Sequence, residues 1–313
     1  MENLNKSPQP DSDLNPSIFK QLCHSSYSKI APEMNEYFLK NWKFRDDKSR
    51  KRYIAADYPR FVCLSYPLTS DDRIGFACII VTLLFLIDDE IDHMPIEVAE
   101  EYNERLILIA QGIQRPDPTI PAEWMTWDLW ENMRKHNEEL TKTIEDPCFL
   151  FMRAQVDKTR LNLDDLSLYF QFREKDIGTA LVCAIMTFGM GMELTDNEQE
   201  LVAPAMSNLA KHLFCVNDIY SYEKEVRVQN ESGQTGGKVV SAVPIVAAVA
   251  KVGPESAKRI LWTMCREWEL NHYQLVEEVL TEYPSPTLKA YFKGLEYQYS
   301  GNEVWSRETG RYK

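Results

Sequence analysis

Residues 85–92 read FLIDDEID, and four carboxylates there end an apolar run. Asp88, Asp89, Glu90 and Asp92 follow a stretch from Gly75 to Ile87 that is almost wholly apolar. At a helix C-terminus such acids oppose the macrodipole and repel one another. Something positive is expected opposite them. On a helix Asp88 and Asp92 share a face, and Phe85 lies three residues before Asp88 on the same side. Carboxylates at this spacing, opening onto an apolar cavity, suit a hard cation such as Mg²⁺. A solvated acidic face is the competing reading.

A second set of oxygen donors lies in VNDIYSYEKEV, residues 216–226. Asn217, Ser221 and Glu225 recur every four residues, so they line one helical face over two turns. Leu209, Leu213, Val216 and Tyr220 form the neighbouring apolar stripe. Asn and Ser favour caps and turns over helix interiors, so their place here asks for a reason. A polar outer face is one. The other is a second wall of a metal site, facing the three aspartates.

The elements that must position these residues read as helices. YFLKNW, RLILIAQGI, WMTWDLWENMRKH, LVCAIMTFGMGM, KHLFCVNDIYSYEKEV and AKRILWTMCREWELNHYQLVEEVL carry apolar residues at helical spacing. No period-two stretch or Asn-Gly hairpin interrupts them. The chain is therefore expected to be all-α, with helices running from Ser17 onward. It has 313 residues, 44% of them hydrophobic, enough for one large domain or two ordinary ones. The Pro-rich connector at 112–121 has equally helical sequence on both sides, which favours a single domain over 16–313. Residues 1–15, rich in Pro, Ser and Asp, read as a disordered tail. The polar, Gly-rich stretch 229–238 reads as a loop able to act as a lid.

Charge and cysteine usage exclude several classes. A net charge of −13 offers no basic stripe for nucleic acid. The apolar run before Asp88 is shorter than the roughly 20 residues a bilayer needs, so no stable membrane insertion is expected. The N-terminal residues lack the apolar segment of a signal peptide. Seven scattered cysteines without a Cys-x-x-Cys read as reduced core thiols of a cytoplasmic protein. The five histidines show no zinc or triad spacing.

DDEID followed about 130 residues later by NDIYSYEKE resembles the paired metal motifs of class I terpene cyclases. LFLIDD, FLFMRAQ, REKDIG, MCREWEL, GLEYQ, GNEVWS and the terminal RY extend the resemblance over roughly residues 17–312. They are similar to fungal sesquiterpene cyclases, most closely the aristolochene synthases. This resemblance implies a class I terpenoid synthase helical bundle around a central apolar cavity. It implies Mg²⁺-dependent ionisation of farnesyl diphosphate and cyclisation to a sesquiterpene hydrocarbon or alcohol, with diphosphate released. A trinuclear Mg²⁺ cluster belongs to that expectation.

Carried over position by position, the resemblance makes Asp88 a direct metal ligand, with Asp89 and Asp92 weaker or outer partners. Asn217, Ser221 and Glu225 chelate the remaining magnesium. Arg173 takes the place of a diphosphate-sensing arginine, and Asp176 links it to a helix break at Ile177-Gly178. Lys224, Arg311 and Tyr312 donate to the diphosphate. Phe85, Phe151 and Trp305 match aromatic positions lining the pocket, whereas Trp127, Trp130 and Trp268 are assigned to packing. The chemistry is consistent. Cations stabilise a departing diphosphate electrostatically, Arg matches phosphate oxygens, and aromatic faces attract carbocations.

Two positions depart from the pattern. Asp92 stands where aristolochene synthases carry Glu, a conservative change. Ser65, in CLSYPLTSDDRI, aligns with a tyrosine. A serine leaves room and a small hydroxyl, so a shifted product and capture of a water are expected. Tyr66, next in sequence, is the candidate to refill that space. Two rival functions remain: a chain-elongating prenyltransferase, expected to carry two Asp-rich motifs, and a non-catalytic helical binding protein. The oligomeric state is left open, a homodimer included.

Overall fold

The computed structural model describes residues 16–156, 165–232 and 239–313. The N-terminal tail falls outside them. Thirteen helices are present among the described residues, and no strand. In order they are α1 (Tyr27–Asn41), α2 (Asp47–Ala56), α3 (Tyr58–Ser65), α4 (Ile74–Ile91), α5 (Ile96–Ala110), α6 (Pro121–His136) and α7 (Glu138–Ala154). Then follow α8 (Leu166–Asp176), α9 (Thr179–Met190), α10 (Asp196–Ser232), α11 (Ala242–Ala250), α12 (Pro254–Glu282) and α13 (Pro286–Glu308). The all-α, single-domain expectation holds.

Three local expectations are corrected. Helix begins at Tyr27, not near Ser17: Ile18 and Phe19 lie in a bent, non-helical entry whose Ile18 N–H donates to the buried Glu269 at 2.9 Å. Residues 229–232 belong to α10, because no Pro or Gly stops that helix before Gly233; the rest of the expected loop lies outside the described residues. Cys23 is exposed, while the other six cysteines are buried and all seven are free thiols.

α10 is the spine, packing on α12 and α13, while α13 packs on α3 and α7 on α9. Close approaches need missing side chains. At Gly301 a Cβ would lie 2.6 Å from the Leu64 carbonyl, so α13 crosses α3 backbone to backbone. Gly178 separates α8 from α9 at φ +72, where Phe151 fills the place a Cβ would take. The expected break at Ile177-Gly178 is thus a left-handed residue. Asp57 adopts φ 48 between α2 and α3, and its carboxylate caps α3 by accepting from Arg60 N–H at 3.2 Å.

A charged network in the core joins α10, α12 and α13. Glu269 on α12 accepts from His212 on α10 at 3.2 Å and from Arg266, whose guanidinium also donates to Glu303 on α13 at 2.6 Å. His212, Glu269 and Glu303 lie close enough to chelate an ion, but Arg266 already supplies the cation. Buried charges persist only when paired in this way.

One turn farther along α12, His272 packs edge-on to Phe19 and Tyr299 and has 0% exposure. Burial pushes its imidazolium down to about 4. The unfolded value is near 6.5, so the stability held by neutral His272 is complete above pH 6.5 and lost as pH falls towards 4. From pH 7 to pH 5 the loss comes to about 2 kcal/mol. Urea unfolding at the two pH values should show that loss in wild type and a smaller one in His272→Leu. An equal loss in both would contradict the assignment.

Candidate active site

The acids of α4 meet their counter-charge at the chain's far end. α4 stops at Ile91, and Asp92, exposed, caps it with its N–H donating to Asp88 O at 3.0 Å. Arg311, just past α13, donates to both oxygens of Asp89 at 3.1 and 3.2 Å and lies 3.6 Å from the Asp88 carboxylate. It also donates to the Tyr58 hydroxyl at 2.6 Å and sits over the Phe85 ring, 4.9 Å from its centroid. A planar guanidinium can do all of this at once. Lys224 faces the same acids. Burial and Arg311 lower its ammonium, while Asp89, Asp92 and Asp88 oppose that shift. Glu90 leaves the cluster: it accepts from the Tyr102 hydroxyl on α5 at 2.8 Å, and burial raises its carboxyl.

The second wall is the face of α10 that the four-residue spacing marks. Asn217 donates to the Tyr312 hydroxyl at 3.0 Å and accepts from Arg173 at 3.3 Å. Ser221 is buried, and its hydroxyl finds no hydrogen-bond partner among the described residues. Burial raises the Glu225 carboxyl against the pull of Arg173 and Lys224. A carbonyl on a long bond, a buried hydroxyl and a carboxyl whose burial disfavours its charge form an oxygen donor set that a hard cation would satisfy. The two walls are strapped together by adjacent residues, Arg311 on Asp89 and Tyr312 on Asn217.

Below them lies an aromatic cluster. Phe85 stacks on Tyr58 at 4.6 Å and lies 5.8 Å from Trp305, which contacts Phe61 at 5.0 Å and Tyr312 at 5.9 Å. The structure thus gathers Phe85 and Trp305. Among the described residues Phe151 makes no ring contact with that cluster and packs instead on Gly178. The Asp176 side chain lies outside the described set. Of the tryptophans assigned to packing, Trp130 is buried against Phe149 and Trp268 packs on Phe170.

Asp218, Tyr169 and Tyr58 were not picked out from sequence. Asp218 stands inside NDIYSYEKE, and Tyr169 precedes Arg173 by one helical turn, so both carried a faint signal. Tyr58 carried none.

Residues 80–269 match the family model described as terpene synthase family 2, C-terminal metal binding, which takes in both walls. The aristolochene synthase of Aspergillus terreus is 47% identical over 95% of this chain and 93% of its own. The chain belongs to the terpene synthase family. This terpene synthase is also 44% identical to the (+)-aristolochene synthase of Penicillium expansum over 95% of its length and 90% of the relative's. The crystal structure of aristolochene synthase from Penicillium roqueforti superposes with a TM-score of 0.85, covering 94% of this chain and 99% of that one at 44% identity. Germacradien-4-ol synthase from Streptomyces citricolor, at 16% identity and a TM-score of 0.78, shares the fold. Among the described residues no helix is long and apolar enough to cross a membrane.

The Arg311 strap should be measurable without substrate. Arg311→Met leaves Asp88 and Asp89 without their guanidinium and should lower the unfolding midpoint of the metal-free protein. Because Asp89 is 41% exposed, the expected cost is only about 1 kcal/mol and should shrink in high salt. A variant as stable as wild type at low salt would contradict the strap.

Proposed function

We propose that this terpene synthase is a Mg²⁺-dependent sesquiterpene cyclase acting on farnesyl diphosphate. The observation that carries the reading is the meeting of two oxygen-rich walls, with Arg311, Tyr312 and Lys224 between them. Asp88 would hold metal from one side, with Asp89 and Asp92 as outer partners; Asn217, Ser221 and Glu225 would hold it from the other. When bound, Mg²⁺ supplies charge that stabilises a departing diphosphate.

The chain's own groups supply the rest. Arg173, Lys224, Arg311 and Tyr312 would donate to the diphosphate oxygens, and Asp176 would couple Arg173 to the break at Gly178. Arg311 must exchange Asp89 for diphosphate, and both are anions, so the guanidinium keeps a charge partner throughout. Phe85 and Trp305 present ring faces to a carbocation, each attraction amounting to about 2 kcal/mol when desolvated. Phe151, against Gly178, would shape the pocket on the α8 side. Closing water out of such a site protects the cation until a proton is lost.

Ser65 bears on the product. It is buried at the end of α3, and Tyr66 beside it is 2% exposed. The hydroxyls of Ser65, Tyr66 and Thr69 are buried along this stretch and have no hydrogen-bond partner among the described residues, so the space they line keeps unmet polar demand. A sesquiterpene hydrocarbon or alcohol is the expected product, with capture of a water at Ser65 the route to the alcohol. A skeleton other than aristolochene remains the expectation from the serine.

Incubation with C10, C15 and C20 prenyl diphosphates plus Mg²⁺, in H₂¹⁸O, followed by mass spectrometry, tests the whole reading. The expected result is a C15 hydrocarbon or alcohol from farnesyl diphosphate, with ¹⁸O in any alcohol marking capture of water. Chelation of Mg²⁺ should abolish it, as should Asn217→Leu in a folded variant. Hydrocarbon alone, without label, would refute water capture at Ser65, and aristolochene as the main product would refute the shifted skeleton. A longer prenyl diphosphate formed with isopentenyl diphosphate would refute cyclisation, and full activity of Asn217→Leu would refute the α10 wall.

A further inference from the structure

Asp218 lies next to Asn217 in the chain but points to the other side of α10, where it has 0% exposure. Its carboxylate accepts from Arg173 on α8 at 3.0 Å, from the Tyr169 hydroxyl on α8 at 2.5 Å and from the Ala242 N–H at 2.8 Å. Ala242 is the first residue of α11, whose N-cap is Ser241, so the carboxylate also meets the positive end of that helix. Tyr169 and Arg173 are one turn apart, so both donors come from one face of α8. Three elements thus converge on two oxygens: the helix bearing Arg173, the helix bearing the Asn/Ser/Glu wall, and the start of α11.

An uncompensated buried carboxylate is costly, and burial does push this one up, with Arg173 the largest opposing influence. Its donors are matched to an ionised form. One oxygen takes the guanidinium; the other takes a phenol and a backbone amide. An asparagine keeps one neutral oxygen, so either Arg173 or the Tyr169–Ala242 pair faces an NH₂ group, and the bond that Ala242 N–H keeps in the second orientation is no longer to a charged acceptor. The carboxylate also decides where Arg173 can be. The same guanidinium nitrogen that it holds reaches Asn217 Oδ1 at 3.3 Å. Arg173 is therefore held against the α10 wall by a partner that is not part of that wall.

We propose that Asp218 is a positioning residue for the cyclisation: its carboxylate sets Arg173 against Asn217 and clamps α8 and the start of α11 to the metal-binding helix. The inference rests on the reading of Arg173 and Asn217 given under Proposed function. Asp218 itself touches no substrate. Its effect on the reaction passes through Arg173, and its effect on α11 passes through Ala242.

Two measurements test it. The first uses metal-free protein and no substrate. In Asp218→Asn, amide exchange in peptides covering residues 240–246 should speed up about tenfold, the size expected for one lost charged hydrogen bond. Exchange in α13 should stay as in wild type. The second is a cycle of diphosphate release from farnesyl diphosphate with Arg173→Lys, Asp218→Asn and both together. A misplaced guanidinium should cost Asp218→Asn about a hundredfold in kcat. If Asp218 acts through Arg173, the double variant should be within threefold of the slower single variant. Losses that multiply would overturn the proposal, as would unchanged exchange at 240–246. Asp218→Glu keeps the charge but moves the carboxylate away from both Arg173 and Ala242; should Asp218→Asn not fold, it carries the same cycle and the same exchange measurement, with the same criteria. Wild type that releases no diphosphate would refute the proposed function, while the exchange result would still decide the clamp.

Discussion

The Arg311 guanidinium is the constraint on which the site depends. Three aspartates at the end of an apolar helix repel one another, and α4 cannot hold them there alone. Arg311 closes on Asp89, lies near Asp88, and rests on Phe85 and Tyr58, so one side chain joins the acidic rim to the aromatic floor. Its neighbour Tyr312 reaches Asn217 on α10. The C-terminal residues are in turn pinned to the α2–α3 junction. Trp305 and Thr309 donate to Ala56 O at 2.8 Å each, and Gly310 N–H donates to Ala55 O at 2.8 Å. At Gly310 a Cβ would lie 2.6 Å from that of Ala55. A residue remote in sequence is thereby placed as firmly as the helix it serves.

α10 carries the opposite duties on its several faces. One presents Asn217, Ser221 and Glu225 to the mouth of the site. Another buries His212 in the Arg266–Glu269–Glu303 network, which ties α10 to α12 and α13. Asp218 faces α8 and α11. His212, Asn217 and Asp218 are thus directed to different neighbours, which explains how these stretches of a long helix can be both polar and buried. The arrangement also separates charges by role: those in the core are paired within the protein, and those at the mouth retain unmet demand.

Much of this was legible in residue type and spacing. Asp88 and Asp92, or Asn217, Ser221 and Glu225, share a face by helical geometry alone, and the apolar stripe beside them predicts burial. The break at Gly178 came from the family resemblance, and the structure gives it a cause in the positive φ of that glycine. What the spacing could not provide was the meeting of elements far apart in the chain. Nothing local says that Arg311 lands on Asp89, that Glu90 turns to Tyr102, or that Tyr58 lies between Arg311 and Phe85. Asp218 was hidden differently. Inside NDIYSYEKE it looks like one more metal-seeking acid, and only its three donors show it to be structural. The end of α10 was misjudged because Asn230, Glu231 and Ser232 are polar and loop-like, yet a helix already begun extends through them. At Ser65 the sequence shows a lost phenol, and the structure adds that the hydroxyls of Ser65, Tyr66 and Thr69 are buried together without partners among the described residues.

The central claim is that the α4 and α10 walls hold one metal–diphosphate site. Anomalous diffraction from crystals grown with Mn²⁺ and inorganic diphosphate tests it most directly. The account predicts peaks coordinated by Asp88 on one side and by Asn217, Ser221 and Glu225 on the other, with Arg311 turned from Asp89 to the diphosphate. Peaks confined to one wall, or to His212, Glu269 and Glu303 in the core, would contradict it.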